Sequence, residues 1–471
     1  MLNTQIAIIG GGPGGYVAAF KAADAGLDVT LIDPEENPGG VCLYRGCIPS
    51  KALLHIAKLI NETRQASQWG IQFGTPEIDL DQLRAHKNNV IEKMTGGLGQ
   101  LVKARKLKHI QASAQFKDAH NLDLTLIDGN KESLTFDYAI LSTGSSPAIP
   151  GIFDNNDSRI MDSTSALELQ EVPKSMLIVG GGIIGMELGQ VYAALGSSIS
   201  VVEMMPGLIP PADRDLVKPL RGHLESQFEN IWTSTKVTGV TPTAEGISVE
   251  FDAPNDHVFT QTFSRVLVSV GRFPNSSGLG IESTDVQIDD RGFIRVDSQM
   301  RTAESSIFAI GDVIGAGLAH TASHQGTLVA EILSGHEKLV FEPRAIPNVV
   351  YTDPEIAWCG LTEQQAKDQG IDCKIARFPW SASGRATAVG RNEGLTKLLI
   401  DPSNDRVLGV GISGNNAGEL IAEGVVAVEM AALASDIQLS IHPHPTLSET
   451  FMEAAEVYYG QSPHLYTPRP N

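Results

Sequence analysis

Residues 5–33 read QIAIIGGGPGGYVAAFKAADAGLDVTLID, and residues 176–203 read MLIVGGGIIGMELGQVYAALGSSISVVE. Both stretches run through the same order of elements. A short apolar run, Gln5 to Ile9 or Met176 to Val179, predicts a buried strand. A glycine turn follows, Gly10 to Gly15 or Gly180 to Gly185, each spelling G-x-G-x-x-G. Small and apolar residues then predict a helix, Tyr16 to about Ala25 or Met186 to Leu195, with Gly26 or Gly196 as its stop. A second strand, Val29 to Ile32 or Ile199 to Val202, ends on an acid, Asp33 or Glu203, 23 residues after the first glycine in both copies.

Each residue type has a physical reason. Gly10 and Gly180 make the turn, Gly12 and Gly182 let backbone approach a pyrophosphate, and Gly15 and Gly185 let helix and strand pack closely. Gly14 belongs with the first turn. The helix N-terminus then faces phosphate with free N–H groups and the positive end of its dipole. Asp33 and Glu203 are placed to accept hydrogen bonds from a ribose. Two such units predict two dinucleotides, FAD and a nicotinamide nucleotide. Glu203 would repel a 2′-phosphate, and Met204 and Met205 after it supply no cation, so the nicotinamide nucleotide is expected to be NAD.

The chain has four cysteines, Cys42, Cys47, Cys359 and Cys373, too few for a disulfide scaffold. Cys359 and Cys373 are isolated and read as structural. Cys42 and Cys47 lie in Gly39-Gly40-Val41-Cys42-Leu43-Tyr44-Arg45-Gly46-Cys47-Ile48-Pro49-Ser50-Lys51. In a regular helix, Cα atoms five positions apart stand roughly 8–9 Å apart. A disulfide needs less than about 7 Å. If the two cysteines pair, the backbone between them must bend, and Gly46 and Pro49 allow it. Two buried thiols are the alternative. Zinc is disfavoured, because the spacing is not C-x-x-C and no second ligand pair lies nearby; no metal is expected.

Composition bounds the rest. At 471 residues, with 42% hydrophobic and 19% charged residues, the chain reads as a soluble globular protein of about three domains. A net charge of −20 lacks the basic footprint of nucleic-acid binding; it serves solubility, or a surface that meets basic partners. No apolar stretch reaches the roughly 18 residues of a membrane span, and the first apolar run is too short for a signal segment. A cytoplasmic protein is expected.

The cysteine segment resembles the redox signature of the pyridine nucleotide-disulfide oxidoreductases, G-G-x-C-x-x-x-x-C-x-P-S-K. The resemblance implies that Cys42 exchanges with a substrate disulfide and that Cys47 sits against the flavin as the charge-transfer thiolate. Lys51 would lie near the flavin, paired with Glu187. Tyr138 to Gly144, with Thr143 and Gly144, resembles the segment closing the first FAD stretch. Val270 to Asn275, with Gly271, resembles the exit from the NAD domain. Thr302 to Asp312 resembles a second FAD fingerprint in which Asp312 binds the ribityl chain, and Ala319 and His320 fall near the expected flavin contact. Residues 442–449, HPHPTLSE, resemble the motif H-x-H-P-T-x-x-E, which makes His444 the general acid/base and Glu449 its partner. The chemistry agrees. Disulfide exchange needs a thiolate, a histidine takes that proton near neutral pH, and a carboxylate orients the ring.

In the family this histidine reaches the cysteines of the other subunit, so the resemblance implies a homodimer. The spelling Cys47-Ile48-Pro49-Ser50-Lys51-Ala52-Leu53-Leu54 resembles members that act on dihydrolipoyl groups. It implies NAD-linked oxidation of lipoyl carried on a partner, either a lipoyl-bearing acyltransferase of a 2-oxoacid dehydrogenase complex or a glycine-cleavage carrier protein. Three departures stand out. Asp33 is found where glutamate is common, Ser146 where arginine is common, and Thr321 and His324 vary the segment after His320.

The resemblance covers essentially the whole chain and implies an α/β fold: two Rossmann-like dinucleotide-binding domains, for FAD and NAD, plus a C-terminal α+β dimerisation domain. The expected boundaries are 1–148 for the first FAD segment, 149–271 for NAD, 272–347 for the returning FAD-contacting segment and 348–471 for dimerisation. Rival readings are a related flavin disulfide reductase with another substrate and a flavoprotein acting mainly in binding or assembly. Glutathione-type enzymes would want cations after Glu203. Mercuric-type enzymes carry a C-terminal cysteine pair, whereas the last cysteine here is Cys373.

Overall fold

The first strand, Leu2–Ile9, lies between Val29–Ile32 and Lys131–Leu141 and is parallel to both. Lys108–Ile110 extends one edge, and Ile307–Ala309 pairs with Lys131–Leu141 from far along the chain, both in parallel. Asn121–Leu126 and Ala112–Asp118 complete a seven-stranded sheet in antiparallel fashion. Ile6, Ile8 and Leu31 are fully buried, because helices cover both faces of a parallel sheet. Each such side chain contributes about 1.5–3 kcal/mol. The computed structural model describes residues 2–255 and 257–466, so positions 467–471 of the expected final domain lie outside the described residues.

The second unit repeats the plan. Ser175–Val179 sits between Ser198–Val202 and Arg265–Val268, with Asn230–Trp232 and Ile160–Met161 at the edges, all parallel. A three-stranded antiparallel sheet, Lys236–Pro242, Ile247–Ala253 and His257–Phe263, packs beside it. The chain passes between the two units twice, and the two crossings, Ser145–Pro147 and Arg272–Pro274, pair as an antiparallel ribbon. The last part is a five-stranded antiparallel sheet in the order Asn348–Val350, Glu355–Gly360, Val407–Gly414, Leu395–Ile400, Lys374–Pro379. Its own core includes Phe378, Trp380 and Phe451, under the helices Ala417–Glu429 and Glu449–Tyr459. The fold is therefore α/β with an α+β C-terminal part. Among the described residues no helix is long and apolar enough to cross a membrane.

The two signature helices start earlier than the sequence suggests, at Pro13–Asp24 and Ile183–Leu195. Helix begins inside the glycine turn, since Pro13 has the φ of a first helical residue and lacks only an N–H that would be unpaired there. Gly26 and Gly196 end the helices with φ of 88° and 118°. A Cβ on Gly15 would lie 1.9 Å from Gly10 O, and one on Gly185 2.3 Å from Gly180 O. The third glycine is thus a steric demand in both copies. The helix Ala319–Leu333 lies against the first signature helix, with Ser323 Oγ donating to Pro13 O at 3.3 Å, which carries Ala319 and His320 to the first glycine turn.

Gly15→Ala is expected to destabilise the protein by about 1–3 kcal/mol and to strip most of its flavin, read from visible absorbance and thermal unfolding of the purified protein. Gly74→Ala, where a Cβ meets nothing within 4 Å, should change neither.

Candidate active site

One continuous cleft of about 2130 Å³ runs between the two glycine turns, well beyond the roughly 300–1,000 Å³ of a single small-molecule pocket. Gly10, Gly12 and Gly14 line it at one end, Gly180 and Gly182 at the other, and Cys42, Cys47 and Lys51 between. Gly15 and Gly185 lie behind the turns. Thr143, Gly144, Gly271, Asp312, Ala319 and His320 also line the cleft.

The two acids do the same thing in both units. Asp33 Oδ2 accepts from Gly11 N–H at 2.5 Å, and its Oδ1 from Glu35 N–H at 2.9 Å. Glu203 Oε2 accepts from Gly181 N–H at 2.6 Å, and its Oε1 from Met205 N–H at 2.6 Å. The shorter Asp33 therefore reaches its glycine turn as closely as the glutamate does. Burial raises the Asp33 carboxyl, with the Gly11 N–H and the charges of His109 and Arg45 opposing. A carboxylate has about four acceptor sites, so each acid keeps capacity for a ribose. The glycine cradles, the helix N-termini and these acids fit two dinucleotides. Met204 and Met205 are exposed, but the tertiary structure adds Lys236 to the same end of the cleft, a cation that local sequence around Glu203 does not reveal.

The redox segment hangs from the first cradle. Gly39 N–H donates to Gly11 O at 2.8 Å, and Gly40, at φ 57°, leaves no room for a Cβ, which would sit 2.5 Å from Gly12 Cα. Cys42 lies in the helix Gly40–Arg45 and Cys47 begins the next, Cys47–Gln65, with Gly46 at φ −145° and ψ −111° between them. That break brings two sulfurs together that a regular helix would hold apart. Both cysteines are free thiols here, close enough for each to shift the other's titration. The pair concentrates one negative charge on Cys47. The Cys42 thiol beside it, against burial and with help from Lys51, brings Cys47 down to about 7. Cys42 is pushed up, by the neighbouring Cys47 and by burial.

Lys51 Nζ donates to Glu187 Oε2 at 2.8 Å. Glu187 is 4% exposed, and its Oε1 accepts Tyr351 N–H at 2.9 Å. Lys51 also lies 4.5 Å from the centre of the Tyr351 ring. Burial alone would lower Lys51, but the charge and hydrogen bond of Glu187 outweigh it and hold the ammonium protonated. Tyr351 joins this site from the C-terminal sheet, a role its sequence neighbourhood does not announce.

Asp312 Oδ2 accepts from Ser145 Oγ at 2.5 Å. Arg272 holds Ser145 through Nε to Oγ at 2.7 Å and Nη2 to the carbonyl at 2.5 Å. The crossing ribbon thus orients the acid. His320 Nε2 lies 2.9 Å from Pro347 O, and burial lowers it.

His444 and Glu449 are elsewhere. His444 Nδ1 lies 2.8 Å from Glu449 Oε1, and Glu449 Oε2 accepts Thr446 N–H at 2.7 Å. His444 is 76% exposed, and neither residue lines the cleft of its own chain. The other motif histidine, His442, is tied down by Ser440 O at 2.9 Å and Glu423 at 2.8 Å; it braces the loop and leaves His444 free.

Family comparison agrees with this geometry. Residues 4–326 match the profile of the pyridine nucleotide-disulphide oxidoreductases, and residues 346–455 match the dimerisation domain of the same group. The chain belongs to the pyridine nucleotide-disulphide oxidoreductase family. Among its relatives are dihydrolipoyl dehydrogenases from Haemophilus influenzae, 47% identical, and Vibrio cholerae, 46% identical, each matched over 98% of this chain and 96% of the relative. Of solved structures, LpdA of Mycobacterium tuberculosis superposes with a TM-score of 0.88 at 26% identity, covering 96% of this chain and 99% of that one. RclA, an HOCl-induced flavoprotein disulfide reductase of Escherichia coli, superposes at 0.84 with 25% identity, covering 96% of this chain and 99% of that one.

Replacing Lys51 by methionine should raise the Cys47 midpoint above about 7, by about one pH unit or more, since a cation beside the thiolate is removed. The pH dependence of iodoacetamide alkylation at Cys47, resolved from Cys42 by peptide mass spectrometry in the dithiol-reduced protein, reads this out. An unchanged midpoint would mean that Lys51 does not act on Cys47.

Proposed function

We propose that the chain is an NAD-linked dehydrogenase of dihydrolipoyl groups, acting as a homodimer through the Cys42–Cys47 pair. The observation that carries this is the cysteine pair itself: two thiols on either side of the break at Gly46, with the Cys47 thiol lowered to about 7, between two dinucleotide cradles. The full-length similarity to dihydrolipoyl dehydrogenases supports the substrate class.

In the proposed cycle, His444 of a second copy removes a proton from a dihydrolipoyl thiol. The thiolate attacks Cys42 Sγ of the Cys42–Cys47 disulfide, that bond breaks, and Cys47 leaves as a thiolate. Lys51 stabilises the charge that develops on Cys47. The second lipoyl thiol then attacks the mixed disulfide, releasing cyclic lipoyl and leaving both cysteines reduced. Glu449 fixes the His444 ring by its Nδ1 and stabilises the imidazolium. FAD would be held by the Gly10–Gly15 turn, Asp33, Thr143, Gly144, Asp312, Ala319 and His320, and NAD by Gly180, Gly182, Gly185, Glu203 and Gly271. When bound, FAD supplies a two-electron relay between the dithiol and the nicotinamide ring.

The donor in the cell is proposed to be lipoyl on a partner protein, an acyltransferase of a 2-oxoacid dehydrogenase complex or a glycine-cleavage carrier, and the compartment the cytoplasm.

Cys42→Ser should abolish dihydrolipoamide oxidation, by roughly a thousandfold or more, yet leave flavin reduction by NADH intact. His444→Gln should lower the same turnover by about 10²–10⁴-fold. Steady-state NADH formation and anaerobic flavin bleaching separate the two effects. Retained lipoyl turnover in Cys42→Ser would refute the scheme. NADPH turning over faster than NADH would overturn the reading of Glu203.

A further inference from the structure

The helix Glu449–Tyr459 carries glutamates at 449, 453 and 456, the i, i+4, i+7 spacing of a single face. Glu449 opens that face and holds His444. One turn on, Glu453 is buried, its side chain 5% exposed. Gly460 ends the helix with φ 69°, and the following segment folds back along it. Ser462 Oγ donates to Glu453 Oε2 at 2.8 Å, and His464 Nδ1 meets Glu453 Oε1. Glu456 Oε2 is buried without a hydrogen-bond partner among the described residues. Other charged groups packed on the helix are engaged elsewhere. Lys374 lies over the Tyr458 ring, Asp405 accepts from Tyr458 and Tyr459, Asp436 accepts Leu433 N–H, and Lys397 is taken up by Asp213, Asp215 and Glu363.

We propose that Glu453 and His464 form a second histidine–carboxylate pair that sets the electrostatic field at the Glu449–His444 pair, making both positioning residues for the acid/base step. The inference rests on the assignment of His444 as acid/base.

The hydrogen bond and charge of Glu453 keep His464 protonated to higher pH than an ordinary histidine. Burial raises the Glu449 carboxyl, but the Thr446 N–H, the His444 hydrogen bond and the charges of His444 and His464 together pull it below its ordinary value. Burial and then the charge of Glu453 push Glu456 up. Below its own titration, the His464 ring offsets part of the negative charge on this face. Without it, the Glu449–His444 pair faces a more negative field. Above the His464 titration the ring is neutral and removing it changes nothing.

The test uses the FAD-loaded full-length protein with His464→Gln. His464 is 61% exposed, so the substitution leaves the core intact. Two profiles are measured against pH: dihydrolipoamide oxidation with NAD, and alkylation of Cys42 by iodoacetamide in dithiol-reduced enzyme, which needs no lipoyl substrate. The expected result is an acid limb moved upward by about 0.3–0.5 pH unit at low ionic strength, shrinking in high salt. The double variant Glu453→Gln/His464→Gln, which exchanges a net-neutral ion pair for two neutral groups, should return the limb toward wild type. An unmoved limb in both profiles, a shift insensitive to salt, or a double variant that does not return overturns the proposal. His444→Gln serves as the control. If it leaves alkylation unchanged, the acid/base assignment falls, and this inference with it. If the wild type fails to oxidise dihydrolipoamide while alkylation still depends on His444, the substrate reading falls alone and the alkylation profile decides.

Discussion

The contact between Lys51 and Glu187 joins three parts of the chain that lie far apart in sequence. Lys51 comes from the redox helix, Glu187 from the signature helix of the second unit, and the Tyr351 N–H on the other carboxylate oxygen from the C-terminal sheet. Glu187 is buried while Lys51 is only part-buried, so desolvating the carboxylate is costly, and removing the lysine would leave that charge unpaired. It is tolerable here because both Glu187 oxygens are satisfied and the lysine also faces the Tyr351 ring. One consequence is chemical. The pair holds a permanent cation next to Cys47, where a thiolate has to exist.

The two glycine cradles are one solution used twice, down to the N–H that each acid accepts from the second residue of its turn. What differs is what hangs from them. The first cradle touches the redox segment directly, through Gly39 N–H on Gly11 O and the close passage of Gly40 over Gly12. The sulfurs are thereby tied by a few residues of chain to the turn that faces one dinucleotide, and the second cradle opens on the same cleft.

The histidine motif is built with equal care but in another place. Glu449 orients His444 while the ring stands out in solvent, and the cleft of the same chain ends without it. In the proposed cycle this oriented histidine acts on the sulfurs of a second copy. Leu439 and Ile441, just before the motif, are 79% and 98% exposed, apolar surface of the kind a subunit interface covers.

Much of this was legible in the residues alone. Strand, glycine turn, helix, stop and acid follow from short-range periodicity and from the steric demands of Gly15 and Gly185, which depend only on neighbours within a few positions. The helix starts were read late, because the first turn of a helix is made of residues whose side chains carry no periodic signal. Local sequence could say that Cys42 and Cys47 need a bend and that Gly46 permits one, but not that the bend occurs or which sulfur holds the charge. The charge depends first on the Cys42 thiol beside Cys47, then on burial, which opposes it, and on Lys51. The partners of Asp312, the arrival of Tyr351 and Lys236, the division of labour between His442 and His444, and the return of Ser462 and His464 onto Glu453 were decided by tertiary structure. Each is a contact whose energy depends on distance and dielectric between segments that the chain order leaves independent.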